Sequence, residues 1–272
     1  MVEGQQEGCP GIDTVLVVVP ARNEQRRIVA CLSHLGDSIK LLEGLRPEIS
    51  VRVHVVLDGC SDDTAALIER GFGGESWLST HGVEFSNVGR ARGFGVRRAL
   101  EISGDDPART LIASTDADSR VPRHWLPGMV RFMDGGADAV LGTIGPDPDG
   151  LSPALYQAWL ATYDNRDEHG HVHGANLGIR ASWYLSVGGF DALESGEDVN
   201  LVERLASAGA KIARRASLCV MTSSRLLGRA PRGFADFLRR LDTALPDGSG
   251  AREPKPQIAQ EYGSAIGASG MA

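Results

Sequence analysis

Short apolar, β-branched runs, each closed by a knot of acids, arginines or glycines, limit what this chain can fold into. Thr14–Val19 (TVLVVV) is a continuous apolar run ended by Pro20, as in a strand buried on both faces. Ile28, Leu32, Leu35, Ile39 and Leu42 then recur at spacings of four and three, one face of an amphipathic helix. Val51–Leu57 predicts a second strand, and Ser61 a cap for a helix carrying Ala65, Leu67 and Ile68. Gly82–Phe85 predicts a third strand, followed by a helix from about Gly89 to Ile102, and Thr110–Ser114 predicts a fourth strand. Strands alternating with helices imply right-handed βαβ units. The expected class is α/β: a Rossmann-like, mostly parallel central sheet flanked by helices, in one compact domain.

The second half is less regular. Asp138–Ile144 reads as a strand, Pro153–Asp164 as a helix, and His173–Ile179 as a strand broken by glycines. Asp198–Ala208 reads as a helix stopped by Gly209, Lys211–Met221 as a strand, and Gly233–Leu241 as an amphipathic helix. From about Pro246 the residues are mainly Gly, Ala, Ser, Pro and Gln, a composition expected to be disordered. The expected organisation is a leader (1–13), two fused halves (14–120 and 121–244) and a tail (245–272).

Charge and cysteine usage narrow the function. The 272 residues carry 28 Lys+Arg against 35 Asp+Glu, a net charge of −7. This argues against a nucleic-acid binder, whose affinity comes from neutralising phosphates. Arginines cluster locally, however, at Arg90/Arg92/Arg97/Arg98 and Arg225/Arg229/Arg232, and such clusters hold small anions. Cys9, Cys31, Cys60 and Cys219 lie too far apart for a CxxC zinc pair or a dense disulfide framework. With no secretory signal pattern and no apolar run near the roughly 18 residues of a membrane span, a cytoplasmic protein without an integral membrane segment is expected.

The polar clusters follow the strands in order: PARNE, DGCSDDT, NVGRARG and DADS. In an open α/β sheet these places lie along one edge and form a common cleft. Asp116 and Asp118 alternate at a strand end, where carboxylates suit a hard cation such as Mg²⁺ or Mn²⁺ completed by waters and phosphates. The bland alternative is that one of them, or Ser119, caps the helix starting near Pro122. Glu197 and Asp198 open a helix, where its dipole favours an ionised carboxylate; simple acidic capping is the alternative. Thr222–Arg225 with Arg229 supplies donors for a charged leaving group, or is an exposed basic turn. His169, His171 and His173 alternate, which in an extended segment puts them on one face; a zinc cluster would need further spaced ligands, and none is evident.

LVVVPARNE (16–24), VVLDGCSDDT (55–64), NVGRARGFG (87–95), STDADS (114–119) and GGF…GEDVNLVERL (188–205) together resemble the inverting family 2 glycosyltransferases of the GT-A fold. The resemblance implies a nucleotide-sugar donor, a divalent metal and transfer to a nucleophilic acceptor; a small or carrier-bound acceptor is expected, with a homodimer as a candidate assembly. It places Pro20, Ala21 and Glu24 beside the base and ribose, Asp58 against the base, and Gly89 and Arg92 near the ribose and diphosphate. Asp116 would approach the ribose or metal, with Asp118 as principal metal ligand; one of the three histidines, with His173 as the candidate, would reach the metal or diphosphate. Arg225 and Arg229 would face the diphosphate, and Gly174–Asn176 resembles the acceptor-side strand. Asp198 would be the catalytic base, with Glu197 as its fallback. Two departures stand out: Leu57 replaces the first acid of the family's DDG-like turn, and the processive enzymes' QxxRW motif is absent. A uridine-type donor is expected. A sugar-nucleotide nucleotidyltransferase is disfavoured because no GxGTR-like loop follows the first strand, and a dehydrogenase because PARNE stands where GxGxxG would be. A catalytically silent nucleotide-sugar-binding protein is the remaining alternative, and the acids at 118 and 198 count against it.

Overall fold

Strand β1 (Thr14–Ala21) is buried along almost its whole length because it is the hub of the sheet. It pairs in parallel with β2 (Ser50–Asp58) on one side and β4 (Thr110–Ser114) on the other. The computed structural model describes residues 10–228 and 233–245. The expected tail apart from Leu245, most of the leader, and Arg229 and Arg232 lie outside them. With β3 (Leu78–Val83), β5 (Ala139–Pro146), β6 (Leu177–Arg180) and β7 (Ile212–Thr222), one sheet forms in the order β3-β2-β1-β4-β6-β5-β7. Only β6 runs antiparallel to its neighbours.

The helices are α1 (Ile28–Leu45), α2 (Thr64–Phe72), α3 (Val88–Ser103), α4 (Trp125–Asp134), α5 (Pro153–Thr162), α6 (Ala181–Ser186), α7 (Glu197–Ser207) and α8 (Phe234–Ala244). The period-two alternation of β1 sorts them onto two faces. Val15, Val17 and Val19 meet the apolar stripe of α1, Ile68 of α2 and Trp125 and Met129 of α4. Val18 on the opposite face joins Ala91 and Val96 of α3, Tyr184 of α6 and Leu201 and Leu205 of α7. A smaller cluster forms where α5 meets α8, through Leu155, Trp159 and Leu238. Asn176, fully buried, knits the second half together: its Nδ2 donates to the Thr143 and Leu218 carbonyls, and its Oδ1 accepts from the Trp125 indole at 2.8 Å. No described helix is long and apolar enough to cross a membrane.

The structure departs from the sequence expectations at five places. The third strand is Leu78–Val83 rather than Gly82–Phe85, because the Phe85 amide leaves the ladder and donates to Asp58. Ser61 does not cap α2, whose N-cap is Asp63; its amide donates instead to Asn23 Oδ1 at 2.8 Å. The sixth strand begins only at Leu177, since His173–Asn176 is a turn closed by the Asn176 amide on the His173 carbonyl. Helix α6 was not anticipated. Neither Asp116, Asp118 nor Ser119 caps α4, which starts behind His124.

Across the β2–β3 pair, His54 Nδ1 lies 3.0 Å from His81 Nε2 and the rings stack with centroids 5.3 Å apart. Burial, reinforced by His81, Arg52 and Arg98, pulls His54 down to about 4, and burial with Arg98 also lowers His81. An unfolded histidine titrates near 6.5, so between about 6.5 and 4 the unfolded chain binds more protons and stability falls as pH falls. Urea denaturation should therefore show a loss of stability from pH 7.5 to 5, and His54→Val should reduce that loss. An unchanged pH dependence in His54→Val would exclude the pair as its source.

Candidate active site

The parallel registers set the carboxyl ends of β1, β2, β3 and β4 side by side: Ala21 is level with Leu57, Asp58 with Val83, and Val18 with Ser114. Beyond them opens a cleft of about 860 Å³, within the range of small-molecule sites. Pro20, Ala21, Glu24, Asp58, Arg92 and Asp116 line it, as do Asp118, His173, Glu197, Asp198 and Arg225. Gly89 lies in the first turn of α3, buried against Glu197 and the Asp191 carbonyl. Arg229 falls outside the described residues.

Asp58 ends β2, buried, with its carboxylate turned to the protein's own backbone. Oδ1 accepts from the Phe85 and Ser86 amides at 2.6 and 2.8 Å, and Oδ2 from the Asn87 amide at 3.0 Å. Asn87 in turn caps α3 through the Arg90 amide at 2.8 Å. Asp58 thus fixes the turn that carries Ser86 and Asn87 into the cleft, a task distinct from the base contact expected of it.

Arg92, one turn into α3, is the buried cation of the site. Its Nη1 donates to Glu197 Oε1 and its Nη2 to Asp116 Oδ1 at 2.5 Å. Burial alone would lower its pKa, but Asp116, Glu197 and Asp198 outweigh burial and raise it. Burial conversely raises the Glu197 carboxyl, against the pull of Arg92. Gly174 makes room for the guanidinium: a Cβ there would stand 2.4 Å from its central carbon. The Gly174 amide donates to Asp198 Oδ2 at 2.6 Å, while Asp198 Oδ1 accepts from Val199 N at 2.8 Å. Glu197 is therefore buried and committed to Arg92, whereas Asp198 is part-exposed in the cleft at the start of α7.

A second acid–arginine net lies along the cleft. Arg225 donates through Nη1 to Glu24 Oε1 at 2.8 Å, and its Nη2 lies 2.9 Å from Asp118 Oδ2. Burial raises the Asp118 pKa, Arg225 opposes this, and Asp116 and Glu24 add to it. The histidines form a ring column: His169, His171 and His173 stack at 5.6 Å intervals, and Tyr163 lies parallel to His171 at 4.1 Å. The Ile144 amide donates to Tyr163 Oη at 3.0 Å, and the same Oη lies 2.9 Å from His173 Nε2. Burial, with His171 and His169, lowers His173 to about 3. Stacked rings do not converge on a point, and among the described residues no group of three or more His, Cys, Asp or Glu side chains is arranged to hold a metal ion. The expected set Asp118, Asp116 and His173 is therefore not a closed ligand cage. Sequence reasoning also missed Tyr163, which falls inside the predicted helix Pro153–Asp164 but in the structure lies just past the end of α5.

Removing one partner of a buried charge pair costs about 3–5 kcal/mol because the other is left uncompensated. Arg92→Met should lose on that order of stability in urea denaturation at pH 7. Arg92→Met/Glu197→Gln should lose less, since one stranded carboxylate is gone. Equal losses in the two variants would contradict the bridging role.

The model of the family described as Glycosyl transferase family 2 matches residues 16–175, from β1 to the turn before β6. Among solved structures, S. aureus TarS 1-349 in complex with UDP-GlcNAc is similar, with a TM-score of 0.58 and 14% identity over 81% of this chain and 61% of that one. The Pyrobaculum calidifontis mannosyltransferase PcManGT, in complex with GDP-Man and Mn²⁺, has a TM-score of 0.56 and 19% identity over 84% of this chain and 60% of its own. The chain thus spans about three fifths of the length of these structures. No curated protein sequence matches it. A family match over more than half of the residues, together with the likeness in fold to these structures, shows that the chain belongs to glycosyl transferase family 2 and has the GT-A fold.

Proposed function

We propose that this enzyme moves a sugar from a nucleoside diphosphate sugar, of the uridine type, to a hydroxyl or amine of a small or carrier-bound acceptor by a single inverting displacement. The observation that carries the reading is the meeting, in one cleft, of a part-exposed carboxylate held by a backbone amide, Asp198, with the acid–arginine net of Asp118 and Arg225. Asp198 takes the acceptor proton as the acceptor atom forms its bond to the anomeric carbon, and the bond from that carbon to the diphosphate oxygen breaks with its electron pair. Arg225 offers a fork of donors to the charge that develops on the diphosphate. Glu197 and Arg92 position Asp198 by fixing the start of α7 against α3.

The donor set also fits a hard divalent cation: it is all oxygen, and Asp118 is a buried carboxylate that already requires a positive partner. Asp118, with Asp116 beside it in the cleft, would hold Mg²⁺ or Mn²⁺, and the ion would supply further charge neutralisation on the diphosphate. The turn fixed by Asp58, rather than the Asp58 carboxylate itself, presents Ser86 and Asn87 to the nucleotide end of the cleft. That PcManGT was solved with GDP-Man and Mn²⁺ supports a metal-assisted reading here.

Asp198→Asn keeps the shape of the side chain and its bond to Gly174 but cannot accept a proton, so turnover should fall by about 10²–10⁴. Calorimetric affinity for the nucleoside diphosphate should change little; near-normal turnover would remove Asp198 from the role. Asp118→Asn should abolish the enhancement of UDP or GDP binding by Mn²⁺ while leaving the thermal unfolding profile cooperative. An enhancement of wild-type size would show that Asp118 is not the ligand.

A further inference from the structure

The two arginines that face the cleft floor are held in different ways. Arg92 has only 5% of its side chain exposed and is locked between Asp116 and Glu197, beneath Gly174. Arg225 keeps 28% exposed, while the acids it joins, Glu24 and Asp118, keep 4% and 8%. The acids are also anchored. The Glu24 amide donates to Thr64 Oγ1 at 2.8 Å, and the Thr222 hydroxyl lies 3.4 Å from Asp118 Oδ1. The arginine is thus the movable member: it reaches in from the segment just after β7, with solvent on its outer side.

We propose that Arg225 is an exchangeable counter-ion, which holds Asp118 and Glu24 and gives Asp118 up to a divalent cation as its guanidinium turns to the diphosphate. The inference rests on the nucleotide-sugar reading above and adds an order of events to it. A guanidinium cannot leave the buried Asp118 carboxylate without an incoming positive charge, because an unpaired buried charge is costly. Nor does a cation gain Asp118 without displacing the guanidinium. Each binding partner pays part of the other's cost, which is positive coupling between cation and diphosphate. The guanidinium fork released from Asp118 matches phosphate oxygens bidentately, as a lysine would not.

The test measures Mn²⁺ binding to the full chain by electron paramagnetic resonance, alone and with whichever of UDP and GDP binds better. In Arg225→Gln, Mn²⁺ alone should bind about tenfold more tightly than in wild type, since a competitor worth one charge-assisted hydrogen bond has gone. The nucleoside diphosphate, at saturating Mn²⁺, should bind about tenfold or more weakly by the same reasoning. Effects of opposite sign in one variant are what an exchanging residue produces and a merely structural one does not. Unchanged or weaker binding of Mn²⁺ alone, in a variant that still melts cooperatively, would overturn the exchange while leaving the donor reading intact. Failure of wild type to bind UDP or GDP with Mn²⁺ would overturn the donor reading and the exchange with it.

Discussion

The bridge from Arg92 to Asp116 and Glu197 is the constraint on which the site depends. It joins the segment after β4, the first turns of α3 and the start of α7 through one buried guanidinium. A charge held inside a protein persists only when its partners are in place, so these elements must assemble together for any of them to be correctly set. The close approach at Gly174 then delivers a backbone amide to Asp198. The orientation of the proposed base is in this way a consequence of packing around a cation it does not itself touch.

The same logic, less tightly drawn, operates at Arg225. Glu24 comes from the segment after β1, Asp118 from the segment after β4 and Arg225 from the segment after β7, and their contacts draw the two halves of the sheet together over the cleft. Asp58 does the corresponding work with backbone amides in place of a cation. Each carboxylate that the sequence offers as a ligand is therefore partnered by the protein: two by Arg92, two by Arg225 and one by a turn. What distinguishes Asp198 is that its partners are two amides and its setting is part-exposed, which leaves lone pairs open to the cleft.

Much of this was legible in the sequence because burial on both faces forces continuous apolar runs. TVLVVV and TLIAS could hardly be anything but central strands, and the acids after them had to share one edge. β3 was misplaced because LSTHGV is an edge strand, half exposed, with no such run to mark it. α6 has six residues and shows no full amphipathic period. The histidine alternation put three rings on one face, and the turn that follows, closed by the Asn176 amide on the His173 carbonyl, delays the sixth strand to Leu177. The partners of Arg92 lie 24 and 105 residues away, and no local pattern announces pairs so distant. The clamp by Asp58 has no sequence signature at all, since every residue but proline offers an amide.

In the proposed reaction one carboxylate acts on the acceptor while the leaving diphosphate departs from the opposite face of the sugar. The most direct measurement needs no knowledge of the acceptor: slow transfer of the sugar to water, followed by proton NMR early enough to precede mutarotation. From an α-linked UDP-sugar or GDP-sugar, the coupling constant of the first-formed free sugar should be that of the β-anomer. Release of the α-anomer as the first product would mean a double displacement or front-face reaction, and would contradict the role assigned to Asp198.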